Sequence, residues 1–208
     1  TYFPKYSRQR RIGMMELIPR IKDAWHNSRD SLQTDATNLT NRLQRNQVNR
    51  TSGGELSFEA IEGTYRSFLD RYDERRGGFG RAPKFPHPMD LQVLLRIWRR
   101  WPRDGVLKMV TLNLDKMAGG GIYDHLAGGF SRYAVDERWL VPHFEKMLYD
   151  NALFVTAMVE TYQVNGKREY ADWALDVMKY IQRDMTSPEG GFYSAEDADS
   201  EGVEGKFY

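Results

Sequence analysis

The 208-residue chain contains no cysteine and only four histidines. The absence of cysteine excludes disulfides, thiolate metal sites and a cysteine nucleophile within these residues, and it fits a reducing compartment. The sequence also lacks an excess of either charge, because 30 Lys and Arg residues stand against 29 Asp and Glu residues. A nucleic-acid-binding protein normally gathers a basic excess on one face, so we expect no nucleic-acid partner.

No stretch approaches the roughly 18 consecutive apolar residues that a membrane span requires. The apolar residues recur at helical spacing instead, so we expect a soluble chain with no membrane partner and a cytoplasmic location. The chain begins at Thr1, which is not an initiator methionine, and ends at Tyr208 in a segment typical of the start of a strand. Both ends favour a fragment of a longer protein, and the lack of a signal peptide therefore says nothing about targeting.

Apolar residues at steps of three and four predict helices along most of the chain. The first begins near Met14, with Pro19 either in its first turn or at a kink. Its pattern fades into a polar, glycine-containing segment at 46–56, which we predict to be a linker between residues 1–45 and 57–208. Five further helices are predicted: one capped by Ser57, one opened by Pro88, one capped by Asp104, one from near Pro142, and one over 171–181.

The connections between these five helices alternate between short and long. The long ones each contain Gly-Gly-Phe, at 77–79, 128–130 and 190–192. In an antiparallel array this alternation places every long loop at one end, around a common mouth. The internal repeat, with a period of about 50 to 60 residues, predicts stacked helical hairpins such as a solenoid or a closed α/α toroid.

The segment from Gly119 to Ala152 concentrates glycines, ionisable groups and aromatic rings. Such a set suits a polar, ring-shaped ligand such as a sugar, which stacks on aromatic rings and hydrogen-bonds to charged groups. A packed loop whose polar groups only satisfy one another is the alternative. Together with the stiff, proline-rich run 80–88, this segment supplies the candidate ligand contacts Arg81, Lys84, Tyr123, Arg132, Trp139, Lys146, Tyr149 and Asp150.

His143 is predicted to start the helix near Pro142, with Lys146 and Asp150 close to one helical stripe and Glu145 paired with Tyr149. At that position the helix dipole disfavours the imidazolium, which leaves a neutral imidazole able to act as base or ligand. A hydrogen-bonded structural histidine is the alternative.

A second group of acids, Glu196, Asp197 and Asp199, is crowded into the segment 194–202. Crowded carboxylates raise one another's pKa and so favour a proton donor at neutral pH, whereas a solvated acidic turn is the alternative. The segment lacks the ligand spacing of a calcium loop, and the histidines are too far apart for a recognisable metal signature. We therefore expect neither a metal nor a cofactor.

Three long segments, GGFGRAPKFPHP, GGGIYDHLAGGFSRYAVDERWLVPHFEKMLYDNA and GGFYSAEDADSEGVEGKFY, occur in this order. They resemble the signature segments of the spermatogenesis-associated, thioredoxin-domain-containing protein family, and the resemblance covers nearly everything after Leu56. It implies a helical domain similar to six-hairpin glycosidases and N-acylglucosamine epimerases, preceded by a thioredoxin-like domain to whose tail Tyr2 to Trp25 would belong. The family's cysteine motif would then lie upstream of Thr1. Ser131 departs from the histidine that many relatives carry there.

The predicted fold is mainly α: a partial α/α toroid of the six-hairpin type, preceded by the C-terminal end of a thioredoxin-like domain that would be its partner in the same chain. An open arc of helices should also expose apolar surface at its flanks.

We predict a carbohydrate-directed helical domain with a sugar or small polar ligand at the mouth. Under hydrolysis, Glu196, Asp197 or Asp199 would be the acid and Asp124 or Glu145 the base. Under epimerisation, His125 and His143 would exchange a proton from opposite faces of the sugar. The alternative is a non-catalytic module that binds a ligand or client protein, which tight salt bridges among these groups would favour.

Overall fold

A computed structural model describes residues 3–8, 11–51 and 57–206, except that the side chains of 46–51 lie outside the description. The chain divides into two units, Thr1–Leu56 and Ser57–Tyr208.

The first unit contains two helices, α1 (Met14–Asn27) and α2 (Arg29–Thr51), which contact each other. Pro19 lies inside α1 and not in its first turn. The first part of the linker predicted at 46–56 is helical, because α2 continues through it, and residues 52–56 lie outside the described part of the chain. Arginine and glutamine are good helix formers, so a polar composition alone does not end a helix.

The thioredoxin-like character of residues 1–45 stays a prediction. Apart from one isolated bridge between Arg8 and Arg11, the described part of this unit contains no strand. Tyr2, with which that prediction begins, lies outside the described residues.

The second unit contains five helices separated by loops and very short strands. The helices are α3 (Phe58–Arg71), α4 (Pro88–Arg100), α5 (Asp104–Ala118), α6 (Leu148–Asn165) and α7 (Arg168–Asp184). The strands are β1 (Tyr133–Ala134), β2 (Pro142–His143), β3 (Lys146–Met147), β4 (Ala195–Glu196), β5 (Asp199–Ser200) and β6 (Val203–Glu204). They form three antiparallel pairs, β1 with β2, β3 with β4, and β5 with β6.

The alternate helices α4 and α6 of the second unit pack side by side. α4 contacts its hairpin partner α5 and also α6, and α6 contacts α7 most extensively. The Tyr170 hydroxyl on α7 donates to Asp115 on α5 at 2.7 Å, and this hydrogen bond joins the alternate helices α5 and α7. Leu91, Leu94, Val110, Leu114, Phe154 and Val177 lie in the buried core between these helices. Successive helical hairpins therefore stack on one another, as the repeat predicts.

Apolar side chains are exposed on the two helices at the ends of this stack. They are Phe58, Ile61 and Leu69 on α3, and Leu175 and Met178 on α7.

The fourth predicted helix begins later than expected. α6 starts at Leu148 and not near Pro142, because residues 142–147 are taken into β2 and β3. His143 pairs there with Tyr133, and Lys146 pairs with Glu196. His143 is therefore not at a helix N-terminus, and neither the predicted helical stripe nor the predicted Glu145–Tyr149 pair forms.

Two predicted helix caps also differ from the structure. Asp104 is the first residue of α5, and Arg103 occupies the N-cap position. Ser57 flanks α3 as expected, but its side chain makes no capping hydrogen bond.

The three long connections contact one another at one end of the unit, as the alternation of loop lengths predicts. Lys84 in the first long loop forms a backbone bridge with Ala134 in the second. The β3–β4 pair joins the second to the segment after α7. Groups from all three loops therefore lie close together.

Candidate functional site

Two of the long loops share the sequence Tyr-Asp-x-x-x-Gly-Gly-Phe, at 72–79 and 123–130. In both, the aspartate N–H donates to the second glycine carbonyl at 3.0 Å, and the aspartate carboxylate accepts the N–H groups two and three residues later. All four glycines have positive φ. A Cβ on Gly129 would lie 2.6 Å from the Tyr180 ring, so this turn requires glycine.

Each of these turns is bound to a buried lysine. Lys84 donates to the Asp73 carboxylate at 2.8 Å, and Lys146 donates to the Asp124 carboxylate at the same distance. Both ammonium groups also donate to a backbone carbonyl and lie over an aromatic ring, Trp139 for Lys84 and Tyr180 for Lys146. The two loops therefore carry the same aspartate–lysine anchor.

The anchor holds its carboxylates in the charged form. Burial alone would raise the pKa of Asp124, but hydrogen bonds from the Ala127 N–H and from Lys146 bring it below its ordinary value. A carboxylate with a lowered pKa is a weak general base. The predicted site residues Lys84, Asp124, Trp139 and Lys146 thus have their polar groups bonded within the loops, since the Trp139 indole N–H also donates to the Arg76 carbonyl.

A different set of polar side chains, from the second and third long loops and from the first turn of α6, lies close together. We call it the arginine–histidine cluster. Its members are Arg132, Tyr133, His143, Glu145, Tyr149, Asp150 and Glu204.

Ion pairs connect the strands within the cluster. The Arg132 guanidinium donates to Glu145 at 2.7 Å, and its pKa is raised chiefly by this hydrogen bond. His143 lies between two carboxylates, with Nδ1 2.5 Å from Glu204 and Nε2 3.8 Å from Glu145. Glu204 thereby ties the β5–β6 hairpin to the second loop.

A row of aromatic rings adjoins these charges. The His143 ring stacks on the Tyr133 ring with centroids 4.7 Å apart, and the centroid of the Phe85 ring lies 4.8 Å from that of Tyr133. His87 extends the row at 6.2 Å from Phe85. Phe85 is exposed, so the row offers an apolar edge to solvent beside the charged groups. Ring faces next to hydrogen-bonding groups suit a sugar.

Asp150 is the buried carboxyl group of the cluster, with 9% of its surface exposed. Burial raises its pKa to about 6, and Arg132 and a hydrogen bond from Tyr149 only partly oppose this. In the described part of the chain Asp150 has no ion-pair partner. A carboxyl group with such a pKa exchanges its proton near neutral pH.

The structure places the other predicted site residues away from this cluster. His125 is exposed, bonds to the Gly120 carbonyl at 3.0 Å and packs edge-on against Tyr123. No hydrogen bond, ion pair or ring contact joins it to His143 among residues 57–206. The Tyr123 hydroxyl donates to Asp176. The pKa of Tyr123 is raised mainly by burial and next by this hydrogen bond. The predicted exchange of a proton between the two histidines therefore has no support in these contacts.

The predicted acids near the end of the chain lie on the β4–β5 segment. Glu196 accepts the Tyr180 hydroxyl at 2.7 Å, and Asp197 accepts the Asp199 N–H at 3.2 Å. Glu196 also lines an open cleft of about 920 Å³ together with Asp124, Lys146 and Arg183. Glycoside hydrolysis in this cleft would pair Glu196 as the acid with Asp124 as the base, and Asp124 is already bound to Lys146. Arg81 is exposed and lies outside both arrangements.

Glu204 and the ring of Phe85 are not among the site residues that the sequence predicts. Glu204 lies 61 residues from its partner His143, and no local spacing could indicate that contact. For Phe85, a signal was present in the proline-rich run that holds it rigidly.

Replacing Glu204 with glutamine should loosen the β5–β6 hairpin with little loss of global stability. Glu204 is about half exposed, and an exposed pair of this kind contributes up to about 1 kcal/mol. We expect faster amide hydrogen exchange over 199–204 at an unchanged melting temperature, and Glu189→Gln serves as the exposed control. Unchanged exchange in Glu204→Gln would show that the His143 contact does not hold the hairpin.

In residues 3–8, 11–51 and 57–206, no group of three or more histidine or acidic side chains is arranged to hold a metal ion. None of the helices described there is both long and apolar enough to cross a membrane.

Comparison with known proteins gives relatives in sequence and in fold. No protein-family profile matches the chain. Human and mouse spermatogenesis-associated protein 20 are each 39% identical over 207 residues, or 96% of this chain and 26% of the relative. An uncharacterised Caenorhabditis elegans protein is 33% identical over 209 residues, which cover 96% of this chain and 28% of that protein. The chain thus spans about a quarter of the length of these curated relatives.

The solved structures to which the chain is similar include sugar epimerases. A sugar epimerase from a ruminal bacterium matches with a TM-score of 0.59 and 16% identity over 68% of this chain and 40% of that one. Cellobiose 2-epimerase from Bacillus thermoamylovorans B4167 matches with a TM-score of 0.57 and 16% identity over 67% and 40%. These similarities confirm a mainly helical fold of the α/α toroid type. Close homologues of this chain are named spermatogenesis-associated protein 20, and the fold of this chain resembles part of the fold of the sugar epimerases.

Proposed function

We propose that the arginine–histidine cluster binds a sugar and that the second unit is a carbohydrate-directed module of the epimerase type. The observation that carries the proposal is Asp150, a buried carboxyl group with a pKa of about 6 that interacts with Arg132, in a cluster that also contains His143 and adjoins an exposed ring edge. The epimerase-like fold is consistent with it but does not by itself assign a function.

The row of rings would hold the sugar, and the charged groups would orient its hydroxyls. Phe85 offers the exposed apolar edge of the row, while Arg132 and Glu145 supply a donor and an acceptor already fixed by their own ion pair. Groups held in place before the ligand arrives bind it at a lower entropic cost.

Epimerisation next to a carbonyl moves one proton between the two faces of a carbon atom. A base removes the proton, the electron pair of the C–H bond shifts towards the carbonyl oxygen, and a proton then returns from the other face. Asp150 and His143 would be the two proton-transfer groups, so that Asp150 takes the role first predicted for His125. Arg132 would stabilise the negative charge that develops on the oxygen.

A panel of sugars tests the proposal. Cellobiose, mannose, glucose and N-acetylglucosamine would be screened for thermal stabilisation of the folded protein. A ligand at 100 times its Kd stabilises by about 2.7 kcal/mol, so a selective rise in melting temperature is expected. Asp150→Asn and His143→Ala should abolish that rise, and Asp70→Asn, at an exposed site on α3, should leave it intact. A folded protein that responds to none of the sugars would contradict the proposal.

A non-catalytic ligand- or protein-binding module is the second candidate. The two aspartate–lysine anchors favour it, because they use predicted site residues to hold the loops in place. Absence of any response in the sugar panel would favour this candidate.

A further inference from the structure

A separate pocket lies between α3 and the C-terminal end of α4, formed by residues outside the arginine–histidine cluster. It encloses about 230 Å³. Its lining residues are Phe58, Glu59, Glu62, Tyr65, Ile97, Trp101 and Arg103.

Aromatic rings form much of the wall of this pocket. Phe58 meets Trp101 edge-to-face with ring centroids 5.9 Å apart, Tyr65 is half-buried, and Ile97 is fully packed behind them. The face of each ring carries partial negative charge and attracts cations, most strongly for tryptophan.

Two of these rings already attract cations from the chain itself. The Arg100 guanidinium lies 5.1 Å from the centre of the Phe58 ring, and the Arg103 guanidinium lies 5.7 Å from that of Tyr65. Within the described residues no cation lies over Trp101, the strongest acceptor of the three.

Two carboxylates adjoin the rings. Glu59 and Glu62 are three residues apart on α3 and so share one helix face. Glu62 makes only a long, exposed contact of 3.3 Å with Arg66, a kind of pair that contributes little. Glu59 has no hydrogen-bond or ion-pair partner in the part of the chain that the structure describes. Glu59 and Glu62 thus line the pocket together with the cationic Arg103, and the guanidinium groups of Arg66 and Arg100 lie beside it.

We propose that this pocket binds a small organic cation, with a quaternary ammonium group against Trp101 and its charge balanced by Glu59 and Glu62. The volume suits a headgroup of a few heavy atoms and is below that of pockets for drug-sized ligands. The proposal is independent of the sugar site, because the two share no residue.

Choline and its neutral isostere 3,3-dimethylbutan-1-ol separate charge recognition from apolar filling. We expect choline to bind with a millimolar Kd, followed by the NMR shift of the Trp101 indole N–H, and the neutral alcohol to bind at least about tenfold more weakly. The double substitution Glu59→Gln and Glu62→Gln should remove this preference, and Glu74→Gln, at an exposed site outside the pocket, should keep it.

Two results would overturn the proposal. One is that the folded protein binds choline and the alcohol equally well, or binds neither of them. The other is an unchanged choline Kd in the Glu59→Gln, Glu62→Gln variant. Both substitutions are at exposed positions, so the test does not depend on a variant of Trp101 that folds.

Discussion

Asp150→Asn is expected to stabilise the folded protein above about pH 6 while it abolishes sugar binding. The pKa of Asp150 is raised from 3.8 to about 6, so the folded state favours the neutral carboxyl group. Below the pKa that Asp150 has in the unfolded chain, the group is neutral in both states and costs no stability. The folded protein loses stability as the pH rises through the folded-state pKa, because the buried group must then carry a charge. Asparagine remains neutral at every pH and so avoids the loss.

The expected gain is about 1 to 2 kcal/mol near neutral pH, because one pKa unit corresponds to about 1.4 kcal/mol and partial solvation reduces the full shift. Urea unfolding at about pH 4 and about pH 7.5 measures it. The gain should appear only at the higher pH, and Asp70→Asn should show none. Lower stability of Asp150→Asn at the higher pH would mean that Asp150 holds the fold together in its charged form.

In contrast to Asp150→Asn, a substitution in the aspartate–lysine anchor of the second loop is expected to destabilise the folded protein. Lys146→Met removes the cation from the Asp124 carboxylate, of which only 9% of the side chain is exposed. Breaking one partner of a buried pair costs about 3 to 5 kcal/mol, because the other charge is left without compensation. Urea unfolding of Lys146→Met should show this loss, whereas Lys179→Met, at an exposed position of α7, should be close to neutral.

A pH profile identifies the cause of that loss. The pKa of Asp124 is lowered in the folded state, so the stability from the anchor is present above its unfolded pKa and declines as the pH falls. The difference between Lys146→Met and the original protein should therefore shrink under acid conditions. A difference that stays constant with pH would attribute the loss to packing of the lysine stem and not to the charge pair.

The helices of the second unit follow from local patterns. Apolar residues at helical spacing predict α3, α4, α5 and α7 because each helix buries one face against its neighbours. The start of α6 was placed too early because the β2 and β3 segments are extended through pairing with Tyr133 and Glu196, which are distant in sequence. A helical pattern in residues 142–147 could not reveal those partners.

The candidate site was predictable in its residues but not in their roles. The dense segment 119–152 contains most of the arginine–histidine cluster, and composition is sufficient to find it. Whether a predicted site residue belongs to an aspartate–lysine anchor or to the arginine–histidine cluster depends on which lysine contacts which aspartate and on how deeply Asp150 is buried. Both are properties of packing across loops, as is the contact of Glu204 with His143.

The pH titration of the Asp150 side-chain carboxyl carbon by NMR, with and without a sugar selected by the panel, tests the central claim most directly. The account predicts a pKa near 6 in the free protein and a clear change when the sugar binds. A pKa at the ordinary value of an aspartate, or a titration that no sugar alters, would contradict the assignment of this cluster as the sugar site.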